Sequence, residues 1–155
     1  MPKFLLVGTD ARLQLIDDLA AIAELSPIDS DNVRSFEATW RDQTLIVETL
    51  VIRDQDLIES RASDADFILL VISEAEGMMP SDRAEFEATP DHVELAGICF
   101  TNLQADADPE AKQLLQLEVT EFVKMKRPRW KERFLFENCN IFFHILKTSF
   151  FTDCL

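Results

Sequence analysis

The chain has 155 residues, enough for one domain with a substantial core, and 47% of them are apolar, which argues against disorder. Acidic residues outnumber basic ones 29 to 15, giving a net charge of −14, so the surface as a whole is not expected to attract nucleic acid or anionic lipid. No apolar run approaches the roughly 18 residues that a membrane-spanning helix needs, and no signal-peptide architecture is visible. Three cysteines, Cys99, Cys139 and Cys154, are odd in number and lack metal-ligand spacing. Free thiols in a reducing compartment are therefore expected, the cytoplasm by default with the nucleus left open.

Residues 3–7 form an apolar burst ending in Gly8-Thr9-Asp10, after which Leu13, Ile16, Leu19, Ala20 and Ala23 recur at helical spacing. The pattern predicts a strand, a turn and an amphipathic helix. Residues 26–32, with Pro27 and several turn formers, read as a loop. Phe36, Ala38 and Trp40 alternate with polar residues, residues 44–52 are rich in β-branched side chains, and Arg41-Asp42-Gln43 links the two runs. That arrangement predicts an antiparallel hairpin with a half-exposed edge strand. Residues 54–63 read as a short helix.

Residues 67–72 are apolar without alternation and are bounded by turn signals, the pattern of a mid-sheet strand covered on both faces. An acidic turn closes on Gly77, and Met78-Met79-Pro80 leads into a helix with Asp82 in its first turn, ended by Thr89-Pro90-Asp91. Residues 93–100 predict a further strand and 102–108 a polar loop. Pro109 then opens a long helix whose expected apolar face is Leu114, Leu115, Leu117, Val119, Phe122 and Val123. Residues 140–146 read as a last strand.

Strands alternating with helices, plus one hairpin, imply an α/β fold in three layers, with a mostly parallel sheet and one antiparallel edge strand. In such folds ligands sit at the carboxyl ends of the strands. The loops at residues 8–15, 53–57, 74–80, 102–106 and 148–150 are therefore the places to look for a site. The reading gives a single domain over residues 1–149 and a short tail over 150–155.

In these loops the order of elements resembles the GTP-binding domain of translational GTPases of the elongation factor Tu type, a P-loop NTPase fold. The resemblance is carried by the strand before Ser73, by Glu76-Gly77-Met78-Met79-Pro80 with Arg83, and by a later strand ending in Asn102 that precedes a helix containing Leu117-Glu118-Val119. It covers most of the chain at the level of element order, and the Gly77-x-Met79-Pro80 run is its more specific part. A second, shorter likeness joins Leu5-Leu6-Val7-Gly8-Thr9 to a pseudo-GTPase subunit of the centromere. By the main resemblance, Gly8 and Asn102 are residual nucleotide-site positions.

The chemistry of that family depends on motifs that are altered here. A phosphate loop reads G-x-x-x-x-G-K-[ST], in which lysine neutralises phosphate charge and the hydroxyl binds magnesium. Gly8 has the right place, but Leu13, Gln14 and Leu15 stand where Gly, Lys and Ser/Thr belong. The D-x-x-G switch has Asp54 or Asp56 as its candidate acid and no glycine, since only Gly8, Gly77 and Gly97 occur in the chain. No histidine follows it to position water. The N-K-x-D base-recognition motif is reduced to Asn102-Leu103-Gln104-Ala105, with Asp106 one residue late, and Thr148-Ser149-Phe150 resembles the last loop only faintly. The closing helix of the family has no counterpart in the sequence, so it is missing, replaced by the Phe-rich end, or lost at a truncated or alternative terminus.

Other chemistry is weaker in the sequence. His92 and His144 lack companions, and no nucleophile elbow or zinc-binding His pair occurs. Asp106 and Asp108 lack the remaining positions of a calcium loop. Residues 124–133 concentrate the positive charge, so Arg127, Arg129 and Trp130 are candidates for docking an acidic partner or, weakly, RNA phosphates, against the simpler reading of a helix end and a solvated loop. Phe142 and Phe143 are candidates for a partner-facing apolar patch. The expectation is thus a catalytically inactive GTPase-like interaction module or adaptor with a protein partner, no cofactor and no membrane association. The alternative is a divergent GTP-binding protein related to elongation factors, which would use GTP and magnesium.

Overall fold

The computed structural model describes residues 1–40, 42–130 and 135–136. Their elements are β1 (Lys3–Gly8), α1 (Arg12–Ile22), β2 (Ile28–Ser30), β3 (Val33–Trp40), β4 (Gln43–Leu50), α2 (Gln55–Ser63), β5 (Phe67–Ser73), α3 (Pro80–Glu87), β6 (Glu94–Thr101), α4 (Pro109–Lys126) and β7 (Leu135–Phe136). Among the described residues the sheet runs β2-β3-β4-β1-β5-β6-β7. β1 is parallel to β4 and β5, and β6 is parallel to β5 and β7. The expected α/β class with a mostly parallel sheet and an antiparallel edge holds.

β5 lies between β1 and β6 with all seven residues buried, as its unbroken apolar run implies. β3 runs against β4, and Trp40 faces Gln43 across a two-residue connection in which Asp42 takes a φ of 64°. Residues 26–32 are not all loop, because β2 lies outside β3. Asp31 and Asn32 have φ of 53° and 64° between the paired residues Ser30 and Val33. That is the geometry of a primed hairpin turn, which Asp and Asn tolerate well, and it hides a very short strand inside a turn-like composition.

One sheet face carries a core of Phe4, Leu6, Val47, Leu69 and Val71 packed with Leu15, Ile16, Leu19 and Ala20 of α1. The other carries Leu5, Val7, Ile68, Leu70 and Ile72 packed with Ile58 of α2, Phe86 of α3 and Val119, Phe122 and Val123 of α4. These are the three layers. The apolar face of α4 is narrower than expected: Leu115 joins Val119, Phe122 and Val123, whereas Leu114 and Leu117 are exposed. Spacings of four, three and one keep 115, 119, 122 and 123 in one stripe, and 114 and 117 fall outside it.

No helix among the described residues is long and apolar enough to cross a membrane. The strand expected over 140–146 and the loop over 148–150 lie outside the described residues.

Candidate functional site

The turn after β1 is built around Gly8. Its φ is 117°, and a Cβ placed on it would meet the carbonyl oxygen of Val71 at 2.2 Å. Only glycine lets β1 pass this close to β5. The Thr9 N–H then donates to the same Val71 oxygen at 2.9 Å, and the Arg12 N–H donates to the Thr9 carbonyl at 3.0 Å as α1 begins. Close packing on β5 is therefore sufficient to account for Gly8.

At the mouth of this turn the chain places a charged side chain of its own. Arg12 is almost completely buried. Its Nη1 donates to the Thr9 carbonyl at 3.2 Å and to Asp10 Oδ1 at 3.3 Å, while Nη2 donates to the Leu50 carbonyl at 3.0 Å. The guanidinium thus joins the carboxyl ends of β1 and β4. Its Nε lies 3.7 Å from Glu85 Oε1 and has no hydrogen-bond partner among the described residues.

Glu85 comes from α3 and is also buried. Its Oε2 accepts from Arg53 Nη1 at 2.5 Å. Burial pushes the Glu85 carboxyl above the ordinary carboxylate range, opposed by Arg12, Arg53 and the Gly8 N–H. Asp82, one helical turn earlier on the same face, holds the Met79 N–H at 2.9 Å through Oδ2 and lies 3.7 Å from Arg53 through Oδ1. Burial raises its carboxyl too, against the Met79 N–H and Arg53. Arg53 Nη2 is also 3.0 Å from Asp10 Oδ1. Asp10, Arg12, Arg53, Asp82 and Glu85 form one connected network.

A phosphate loop offers backbone N–H groups and a lysine to negative oxygens. Here both arginines are paired to acids. Asp10, Asp82 and Glu85 add three carboxyl groups to this turn, and the Arg12–Glu85 pair is buried in it. At the lysine and hydroxyl positions, Gln14 is exposed and donates to Asp18 Oδ1 at 2.9 Å, and Leu15 is in the core. Asp54, a candidate switch acid, caps α2 by accepting the N–H groups of Asp56 and Leu57 at 3.0 and 3.2 Å. Asp56 is exposed in the first turn of that helix.

Asn102 sits at the carboxyl end of β6 with a φ of 51°. Its Nδ2 donates to Ser73 Oγ at 3.0 Å, tying β6 to β5. Gln104 Nε2 donates to the Asn102 carbonyl at 2.9 Å, and the Gln104 N–H donates to Glu74 Oε1 at 3.0 Å. Lys112 Nζ lies 3.3 Å from the same Glu74 oxygen. The fold therefore brings Gly8 and Asn102 to one end of the sheet, at the carboxyl ends of the two strands that flank β5. Among the described residues, no group of three or more His, Cys, Asp or Glu side chains is arranged to hold a metal ion.

The basic segment divides. Arg127 turns inward: Nη1 donates to the carbonyls of Asp91 and Val93, and Nη2 donates to the Pro90 carbonyl and Thr89 Oγ1. Its guanidinium carbon is 5.6 Å from the centre of the Phe86 ring, and burial lowers its ionisation from the usual arginine range. Arg129 is exposed, and Trp130 packs, half-buried, against the second core. Phe142 and Phe143 lie outside the described residues.

Sequence reading missed Arg12, Arg53, Asp82 and Glu85. The available signal was positional, because Arg12 precedes Leu15, Ile16 and Leu19 by three, four and seven residues and so occupies a core-facing place on α1.

The fold is similar to that of a bacterial selenocysteine-specific elongation factor, EF-Sec, known from its crystal structure. The two superpose with a TM-score of 0.67 at 16% sequence identity, over 98% of this chain and 28% of that one. The fold is therefore translational-GTPase-like, and the chain spans little more than a quarter of that neighbour's length. No family model matches the sequence, and no curated protein does.

Proposed function

We propose that this chain is a GTPase-like domain without GTP turnover, and that it acts as an interaction module or adaptor for a protein partner. The observation that carries the proposal is the position of Arg12 and Glu85, 3.7 Å apart and buried where a phosphate loop would hold phosphate. A site filled by an internal ion pair and walled by carboxylates repels a polyanion, and Gln14 and Leu15 supply neither the lysine charge nor the metal-binding hydroxyl. In this reading GTP and magnesium are not cofactors, and the retained β-sheet is a scaffold that presents loops. The cytoplasm is its proposed setting.

The second reading is a divergent GTP-binding protein, and the fold shared with EF-Sec is what favours it. Titrating fluorescent GTP and GDP in magnesium, with phosphate release measured in parallel, separates the two. The first reading predicts no saturable signal and no release above buffer. Saturable binding reversed by unlabelled nucleotide supports the second.

A further inference from the structure

Resting on the interaction-module reading, we propose that the rim formed by the β4–α2 and β5–α3 loops docks a basic segment of a partner protein that carries at least one large apolar side chain. Val51, Ile52 and Met79 are exposed by 36%, 39% and 45% on these loops. The loops are fixed against each other: Arg53, next to Ile52, reaches Asp82, which holds the Met79 N–H. The apolar side chains are thus displayed on a braced surface rather than on free loops, which lowers the ordering cost of binding.

Charge selects the occupant. Asp10 in the turn after β1, Asp56 in the first turn of α2 and Glu76 in the β5–α3 loop are exposed. Arg53, the cation of this rim, is already engaged by Asp10, Asp82 and Glu85. The field at the rim is therefore negative. A nucleic acid or nucleotide is repelled, and a second copy of a chain with net charge −14 brings like charge. A neutral apolar partner would desolvate the acids without pairing them. A basic segment with an apolar anchor satisfies both features, with lysine or arginine on the acids and the anchor on Ile52 and Met79.

The test is fluorescence anisotropy on the full chain with three labelled synthetic peptides: one alternating lysine and leucine, one alternating lysine and serine, and one alternating glutamate and leucine. The lysine–leucine peptide is expected to bind saturably and the other two at least roughly tenfold more weakly. A double variant, Ile52→Ser with Met79→Ser, and separately Glu76→Lys, are each expected to weaken the lysine–leucine peptide by a similar factor. Leu114→Ser with Leu117→Ser, on the exposed side of α4, should leave it unchanged. These side chains are exposed, so circular dichroism should show intact folds.

The proposal is overturned if the lysine–leucine peptide fails to bind, if the lysine–serine peptide binds equally well, or if the α4 variant loses as much affinity as the rim variants. Nucleotide binding is measured on the same preparation. Saturable GTP binding would sink the inactive-domain reading alone, and a peptide failure without nucleotide binding would sink the docking rim alone.

Discussion

The guanidinium of Arg12 and the carboxylate of Glu85, with side chains 1% and 4% exposed, lie 3.7 Å apart at the turn that ends the first strand. One comes from the start of α1 and the other from α3, so a single buried contact joins two helices that pack on opposite faces of the sheet. Replacing Arg12 with methionine leaves Glu85 short of a partner. Breaking a buried pair from one side costs about 3–5 kcal/mol. The variant is expected to lose that much in urea unfolding at unchanged slope, and a further Glu85→Leu change should recover about half of it.

Gly8→Ala tests why that glycine is there. The added methyl would meet the Val71 oxygen at 2.2 Å, and the φ of 117° is strained for any L side chain. Since the clash is with backbone, β1 or β5 must shift, and a loss on the order of 3 kcal/mol is expected. Its measure is the thermal midpoint without added ligand. A wild-type midpoint would mean that packing on β5 is not what requires glycine.

The pH dependence of stability should run against the usual direction. Glu48, Asp82 and Glu85 are all raised, in each case first by burial. Glu48 Oε1 has no hydrogen-bond partner among the described residues, although Lys3 and Arg61 partly offset the burial. A carboxyl that binds its proton more tightly when folded makes the folded state take up protons as pH falls. Stability then declines as pH rises through the raised folded values and is gained on acidification from neutral toward the ordinary carboxylate range. Urea midpoints at several pH values should show this gain, and Glu48→Gln should flatten it while raising stability at neutral pH. Parallel curves for the two proteins would remove Glu48 from the explanation.

Arg127 and Arg129 should respond differently to alanine. Arg127 donates to four acceptors between residues 89 and 93 and lies over Phe86. Its removal orphans buried carbonyls and is expected to cost about 2–4 kcal/mol. Arg129 is exposed, and its removal should fall within about 0.5 kcal/mol of wild type. Chemical unfolding of the two variants side by side decides it.

The elements were legible where burial writes an unambiguous period. β5 shows a solid apolar run, β3 alternates, and Pro80 and Pro109 open α3 and α4 as proline at the first helical position should. β2 was not legible, since three exposed residues before an Asp-Asn turn carry no hydrophobic pattern. Leu114 and Leu117 misled because leucine count is a poor guide to which stripe of a helix faces the sheet. Leu13, Gln14 and Leu15 were legible as departures from the phosphate-loop pattern. The network of Arg12, Arg53, Asp82 and Glu85 was not legible, because these residues come from three separate segments and meet only after the sheet has formed. Gly8 meets a packing requirement, the close approach to the Val71 oxygen, that no local motif records.

The proposed lack of nucleotide binding at the turn after β1 is the centre of this account, and a titration followed at single amides tests it most directly. In a nitrogen–proton correlation spectrum with magnesium, GTP is added to millimolar excess while the Gly8, Thr9, Arg12 and Asn102 amides are followed. The account predicts that these resonances stay in place. Saturable shifts centred on Gly8 and Asn102 would contradict it.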